Sequence, residues 1–250
     1  MVWLADAQTP PGMRIYAIGD VHGCLGPLEA MHDAIEKDLE LRPVDDWRLI
    51  HVGDYVDRGP ESRSTLQYLV GLCATQPRAI CLLGNHDEMF VHAMKGGGPR
   101  VQAWLTHGGV QTLESYGFTR DGYERRLLDG AGFDDAVPRA HLAFIQSLPR
   151  SVSFGDYFFV HAGIDPSRSL ANQDPDEMIW IRDRFLNDER ELEKVIIHGH
   201  TPVRSVDVQP NRVGIDTGLV FGRSLTCLVL EGAVKAQLLG RDVVPLPVPT

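Results

Sequence analysis

Short apolar runs alternate with stretches of helical period along the first third of the chain. Residues 14–18 read as a strand; Leu25, Leu28, Met31, Ile35 and Leu39 then recur at spacings of three and four, which marks an amphipathic helix that Pro43 ends. A second strand is predicted over 47–52, followed by a helix with Leu66, Leu69, Val70 and Cys73 on one face, and a third strand over 79–83. This rhythm predicts an α/β fold, with a parallel sheet wound by crossover helices.

The pattern changes over residues 90–150. Gly96-Gly97-Gly98-Pro99 is a break, and Trp104, Leu105, Val110, Leu113 and Tyr116 predict short helices around a second break at Gly108-Gly109. A further helix is predicted over 140–148. The apolar positions are too few for a separate core, so the stretch reads as a helical insertion within one domain spanning 13–240. Strand patterns return at 151–154, 157–160, 195–197, 203–208, 225–230 and 233–239. Residues 1–12 and 241–250 read as extended tails, and the acidic stretch 188–193 as a solvated helix face.

Composition narrows the partners. The 250 residues are 43% hydrophobic and 23% charged, as in ordinary globular proteins, and the net charge of −10 argues against nucleic acid or an anionic membrane surface. No apolar stretch is long enough to span a bilayer, and the start lacks the pattern of a secretion signal. Four cysteines without C-x-x-C spacing point to thiols in a reducing, cytoplasmic setting. No feature marks an oligomer interface, so a monomer is the default expectation.

Chemistry-bearing residues gather where the predicted strands end. Gly53-Asp54-Tyr55-Val56-Asp57-Arg58-Gly59 crowds two carboxylates and a guanidinium into one glycine-bracketed loop. Taken alone it reads as a polar turn with an ion pair. Four other strand ends carry comparable groups: Asp20 and His22, Asn85, His161, and His200. One Asp or His after a strand is ordinarily a turn former or a packing residue, but five coincidences at the carboxyl ends of α/β strands make a ligand crevice. Carboxylate, imidazole and amide oxygen suit borderline divalent ions such as Mn, Fe or Zn. Six such groups exceed one tetrahedral site and suit two ions sharing a ligand, with Asp54 the choice for the bridge. Such a pair would make hydroxide available for in-line attack on phosphorus, with Arg58 clamping phosphate oxygens. Trp180-Ile181-Arg182-Asp183-Arg184 reads either as a solvated ion-pair face or as a second clamp through Arg182. His86 could pair with Asp57 and deliver a proton to a departing alkoxide.

The ordered motifs G-D-V-H-G, G-D-Y-V-D-R-G, G-N-H-D, H-A-G and H-G-H-T, residues 19 to 201, resemble those of the phosphoprotein phosphatase family of calcineurin-like metallophosphoesterases. The resemblance implies a β-sandwich flanked by helices. It also implies one ion on Asp20, His22 and Asp54, and a second on Asp54, Asn85, His161 and His200. His86 with Asp57 would be the acid pair, Arg58 and Arg182 the phosphate arginines, and His198 a supporting residue. Manganese is the expected metal. The insertion and Trp180-Ile181-Arg182 look more like the bacterial and phage-type serine/threonine protein phosphatases, so phosphoserine and phosphothreonine in proteins are the expected substrates. The alternative is symmetrical hydrolysis of diadenosine tetraphosphate. A phosphate-binding scaffold without turnover is disfavoured because His86, Asp57 and Arg58 are all present. Asp87, where eukaryotic relatives have glutamate, is expected to matter little. His51 is expected to support the site from below, His32, His92 and His141 read as packing or solvated residues, and His107 in the insertion reads as a surface residue that could also approach substrate.

Overall fold

Strand β1 (Met13–Ile18) decides the layering, because both of its faces are buried. Ile15 and Ala17 point into one apolar cluster and Tyr16 and Ile18 into another, the alternation that a pleated strand imposes. The computed structural model describes residues 1–95, 99–128, 133 and 135–249, so the glycine break at 96–98 lies outside the described residues. After β1 come α1 (Leu25–Leu41), β2 (Asp46–His51), α2 (Ser62–Thr75), β3 (Ala79–Cys81) and α3 (Asn85–Met94). Through the insertion run α4 (Pro99–Trp104), a π-helical turn (Leu105–Gly109), α5 (Val110–Ser115), α6 (Arg120–Leu128) and α7 (Arg139–Ser147). The remainder holds β4 (Ser151–Phe154), β5 (Tyr157–Val160), α8 (Glu177–Trp180), α9 (Asp183–Leu186), β6 (Val195–His198), β7 (Asp207–Val208), β8 (Arg212–Gly214), β9 (Cys227–Glu231), β10 (Val234–Leu239) and β11 (Asp242–Pro245).

Two mixed sheets result, ordered β11-β10-β9-β1-β2-β3 and β4-β5-β6-β8-β7. β1, β2 and β3 are parallel as the strand–helix rhythm predicts, but β9 returns antiparallel beside β1, and a second sheet packs on the first. The pattern's expectation of one parallel sheet therefore gives way to the two-sheet sandwich flanked by helices that the family resemblance implies. The apolar cluster between the sheets holds Ile15, Ala17, Leu228 and Leu230 from one, and Tyr157, Phe159, Val195, Ile197 and Val213 from the other. Full burial of each of the larger aliphatic and Phe side chains contributes roughly 1.5–3 kcal/mol. The insertion adds Trp104, Leu113, Tyr116, Phe133 and Ile145 to the cluster that α2 and α3 make on the opposite face of the first sheet.

Several expectations change. Residues 1–12 are no loose tail: Leu4 and Ala7 are fully buried between the sheets, and Val2 bridges to Leu192. Residues 242–245 add an edge strand to β10 instead of trailing over the surface. The predicted strand at 203–208 shrinks to Asp207–Val208. Residues 188–193 are not helical; Asp188 accepts from its neighbour Arg190, and Leu192 turns inward.

Candidate metal centre

The carboxyl ends of both sheets converge on one place. β1 delivers Asp20 and His22, β2 Asp54, and β3 with the start of α3 delivers Asn85; from the second sheet β5 delivers His161 and β6 His200. None of the six is more than 5% exposed. Asp54 is common to two groupings, with His22 and His86 on one side and with His161 and His200 on the other, each with its ligand atoms within 4.8 Å of one another. Asp20 belongs to neither grouping among the described residues; its oxygens accept from the His200 backbone N–H at 3.1 and 3.3 Å.

Backbone strain accompanies this convergence. His22, Asp54, Asp57, Arg58 and His200, at φ between 45° and 72°, are the non-glycine residues in left-handed conformation among the described residues. Each such conformation costs of order 1–3 kcal/mol and is held only where surroundings over-determine it. Glycine at 84 and 199 is required by contact instead. A Cβ on Gly84 would stand 2.2 Å from Asp54 Oδ1, and one on Gly199 would stand 2.1 Å from Asp20 Oδ1.

Tautomers follow from the partners. His161 Nδ1–H donates to the Val52 carbonyl at 3.0 Å, so Nε2 carries the lone pair in the neutral ring, and burial lowers this pKa to about 3. That lone pair faces Asn85 Oδ1 at 2.9 Å and Asp54 Oδ1 at 3.4 Å, both acceptors. His200 turns Nδ1 to the same Asn85 oxygen at 2.9 Å, and its Nε2 is buried without a partner among the described residues. The His161 lone pair meeting two acceptor oxygens with no proton between them is an arrangement that a cation satisfies, and the second ring nitrogen of His200 lies beside it. On the other side His22 Nδ1–H donates to Val56 O at 2.8 Å, leaving Nε2 to face Asp54 Oδ2 at 3.5 Å. Here Arg58 supplies positive charge, its Nη1 donating to His22 Nε2 at 2.5 Å. Burial raises the pKa of Asp20, with Asp216 and Asp54 adding repulsion, and burial likewise raises that of Asp54. Buried carboxylates and neutral imidazoles of this kind fit divalent ions with nitrogen and oxygen ligands. The residues present therefore suit the group, and Asp54 is placed to serve two ions.

The catalytic candidates form a connected chain. Arg58 Nη2 donates to His86 Nε2 at 2.8 Å, and His86 Nδ1–H donates to Asp57 Oδ2 at 2.7 Å. Burial lowers the His86 pKa to about 4 and raises that of Asp57 to about 7. His86 is thus neutral around pH 7 while Asp57 is only partly ionised in this arrangement, where the sequence suggested an ion pair. Asp57 is held by residues that sequence reasoning did not assign to the site: Trp104 Nε1–H donates to both its oxygens at 2.9 Å and Thr112 Oγ1 donates at 2.7 Å. The insertion also grips Arg58 from behind, the Gly108 carbonyl accepting its backbone N–H at 3.0 Å.

Asp87 does more than expected. Its carboxylate accepts the backbone N–H groups of Tyr55 at 2.8 Å, Asp54 at 2.9 Å and Gly84 at 3.0 Å, fixing the loop that carries Asp54 against the start of α3. Asp54 Oδ1 in turn accepts the His86 N–H at 3.0 Å, at a helix N-terminus that favours negative charge. Asp216, also passed over, follows β8 at the same sheet edge, where its charge helps to raise the Asp20 pKa; burial raises its own to about 6. The signal for it was available in Gly214-Ile215-Asp216-Thr217-Gly218, another glycine-flanked aspartate after a strand.

The two candidate arginines separate. Arg184 is engaged by Glu177 at 2.5 Å and Asp165 at 3.6 Å, whereas Arg182 Nη1 donates to Thr201 Oγ1 at 3.2 Å, beside His200. Of the other histidines, His51 and His32 meet through their Nε2 atoms at 2.9 Å beneath the β2 end, and His141 hydrogen-bonds Tyr116. His198 packs edge-on to Phe185. His107, read as a surface residue, is exposed but lies over the site, its ring 6.4 Å from that of His86.

Comparison with known proteins agrees with this geometry. The sequence profile of the calcineurin-like phosphoesterases matches residues 13–229. A symmetrical bis(5'-nucleosyl)-tetraphosphatase of Methylococcus capsulatus is 36% identical over 155 residues, 62% of this chain and 45% of that enzyme, so the chain matches under half the length of that relative. The asymmetrical bis(5'-nucleosyl)-tetraphosphatase PrpE of Geobacillus thermodenitrificans is 29% identical over 234 residues, 86% of this chain and 90% of the relative. A solved cold-active protein tyrosine phosphatase superposes with a TM-score of 0.61 at 17% identity, covering 96% of this chain and 82% of its own, a likeness of fold.

Proposed function

The chain belongs to the calcineurin-like phosphoesterase family, and from that premise we propose that it is a metal-dependent hydrolase of dinucleoside polyphosphates, the reading first set second to protein phosphatase. The observation that carries it is the match to a bis(5'-nucleosyl)-tetraphosphatase along 86% of this chain and 90% of that relative. The protein-phosphatase reading rested on the weaker resemblance of the insertion.

In this proposal Asp20, His22 and Asp54 hold one divalent ion, and Asp54, Asn85, His161 and His200 hold the other. When bound, such a pair would polarise phosphoryl oxygens and activate a nucleophile near neutral pH. The residues around it do the rest. Arg58 exchanges its contacts with His22 and His86 for two phosphate oxygens, a bidentate grip that a guanidinium's planar fork favours. Arg182 holds a second phosphate from the His200 side. His86, oriented by Asp57, presents Nε2 toward the leaving oxygen. A phosphoanhydride departs as a weakly basic phosphate oxyanion, so it can leave without the Nε2 proton that neutral His86 lacks and that a serine alkoxide would require.

A substrate panel on the metal-loaded enzyme tests the reading. Diadenosine tetraphosphate should be turned over with higher kcat/KM than any phosphopeptide, and chelation should abolish turnover. The products also place the cut: two ADP for a symmetrical enzyme, ATP and AMP for an asymmetrical one. Preference for phosphopeptides would overturn the assignment.

A further inference from the structure

Two large aromatic side chains stand exposed at the rim, each beside one of the phosphate arginines. Phe221 is 58% exposed, and the Arg58 guanidinium lies over its ring at 5.8 Å. Trp180 is 42% exposed, its ring 6.3 Å from that of His200, two residues from Arg182. Each is turned outward against the trend of its neighbours. Ile179 and Ile181 are buried while Trp180 between them is not, and Leu219 and Val220 are half-buried ahead of Phe221. Both segments are tied to the centre. The Met178 carbonyl accepts the N–H of Ala162, next to His161, and the turn carrying Phe221 starts at Gly218, whose N–H donates to Asp216. Left-handed glycines at 218 and 222 bracket that short turn. Between Phe221, Arg58 and the insertion lies an open cavity of about 460 Å³, with Thr106, His107 and Gln111 on its far wall.

Water-exposed rings of this size at a phosphate site suit a ligand with its own planar face. We propose that Phe221 is a stacking platform for one nucleobase of the substrate and Trp180 the platform for the other. The polyphosphate would then run between Arg58 and Arg182, and Gln111 and Thr106 would offer polar groups to the edge of the base on Phe221. The inference rests on the dinucleoside polyphosphate reading. It assigns recognition of the heterocycle to residues apart from the metal ligands, by stacking, which tolerates any base because every base has a π-face.

The test compares diadenosine tetraphosphate with β-glycerophosphate, a substrate lacking a ring, on the metal-loaded enzyme. F221A should raise KM for the dinucleotide about tenfold, and the ratio of its kcat/KM to that of β-glycerophosphate should fall by the same factor. F221L should behave like F221A, whereas F221W should restore KM because it restores a ring. W180A should act in the same direction. Equal losses on both substrates would mean that Phe221 acts only through Arg58, and an unmoved KM would remove the corresponding platform; either result overturns the inference. A wild-type enzyme that cleaves β-glycerophosphate but no dinucleoside polyphosphate would instead overturn the functional reading on which this one stands.

Discussion

The floor of the site and its rim are built on different principles. Floor residues come from five strand ends in two sheets, are buried, and include His22, Asp54 and His200 in left-handed backbone held by neighbours packed to within a Cβ of contact. Rim residues come from short helices and turns: His107 from the insertion, Trp180 from α8, and Phe221 from a glycine-bracketed turn. A floor so fixed sets the reaction class, since ligand geometry tolerates little displacement. The rim can vary its side chains without disturbing that geometry, so the proposed reading assigns to it recognition of the group attached to the phosphate.

The sharpest way to break this division is through the residue that unites the floor. Asp54→Asn should lower turnover by orders of magnitude and reduce bound metal, because the same carboxylate faces both histidine groupings and the start of α3. Elemental analysis of the purified variant checks it: full metal content would mean that the two groupings are independent and that no shared ligand joins them. Next in size is Gly199→Ala. Its new Cβ would meet Asp20 Oδ1 at 2.1 Å, so Asp20 must leave its hydrogen bonds to the His200 N–H. Turnover should fall by about 10²-fold, the order expected from small misplacements in a catalytic constellation. The loss of metal should be smaller than in Asp54→Asn; an unperturbed variant would show that Asp20 has room the floor description denies it.

The same division explains what was legible in the sequence. Floor residues lie in contiguous motifs at strand ends, where local turn chemistry and glycine requirements are written beside the ligand. Asp20, His22, Asp54, Asn85, His161 and His200 could therefore be nominated together, and the structure gathers them at one sheet edge. Asp216 was missed although its segment has the same form, because one more aspartate added nothing to a set that looked complete. Trp104 and Thr112 carry no local sign of their function: they meet Asp57 across 47 and 55 residues, and their helical spacing speaks only of packing. The packing of residues 1–12 was hidden for a related reason. Leu4 and Ala7 are buried by strands that arrive late in the chain, so no periodicity around them could reveal it. The metal-ligand motifs are shared by both substrate classes, so the sequence set protein phosphatase first on the insertion alone, and the similarity to a bis(5'-nucleosyl)-tetraphosphatase supports the alternative better.

Trp104→Phe would sharpen the comparison from the buried part of the insertion, between floor and rim. It keeps the ring in the insertion's core while removing the N–H that both oxygens of Asp57 accept. Leaving a buried carboxylate short of a donor costs about 1–3 kcal/mol, so kcat should fall by roughly ten- to a hundredfold. Metal content should be retained, since Trp104 touches Asp57 and no member of the metal-ligand set. Loss of metal in this variant would place the insertion in the floor after all.

The smallest expected effect lies beneath the floor, where the ring of His32 bridges the Tyr68 hydroxyl and His51. Burial lowers the His32 pKa to about 4, with Asp33 opposing weakly and neutral His51 facing it. In the unfolded chain an imidazole titrates near 6.5, so between about pH 6.5 and 4 the unfolded state holds the extra proton. The sign follows: stability from His32 is complete above about pH 6.5 and declines as the pH falls toward 4, by up to about 1.4 kcal/mol per unit. Urea unfolding of wild type and His32→Gln across that range should give a shallower slope in the variant, even though its absolute stability is lower for loss of the bridge. Turnover at pH 7.5 should stay within about twofold, because His32 reaches the ligand loop only through β2. A variant with an unchanged stability slope and strongly reduced turnover would extend the floor one layer down, to the imidazole pair under Asp54.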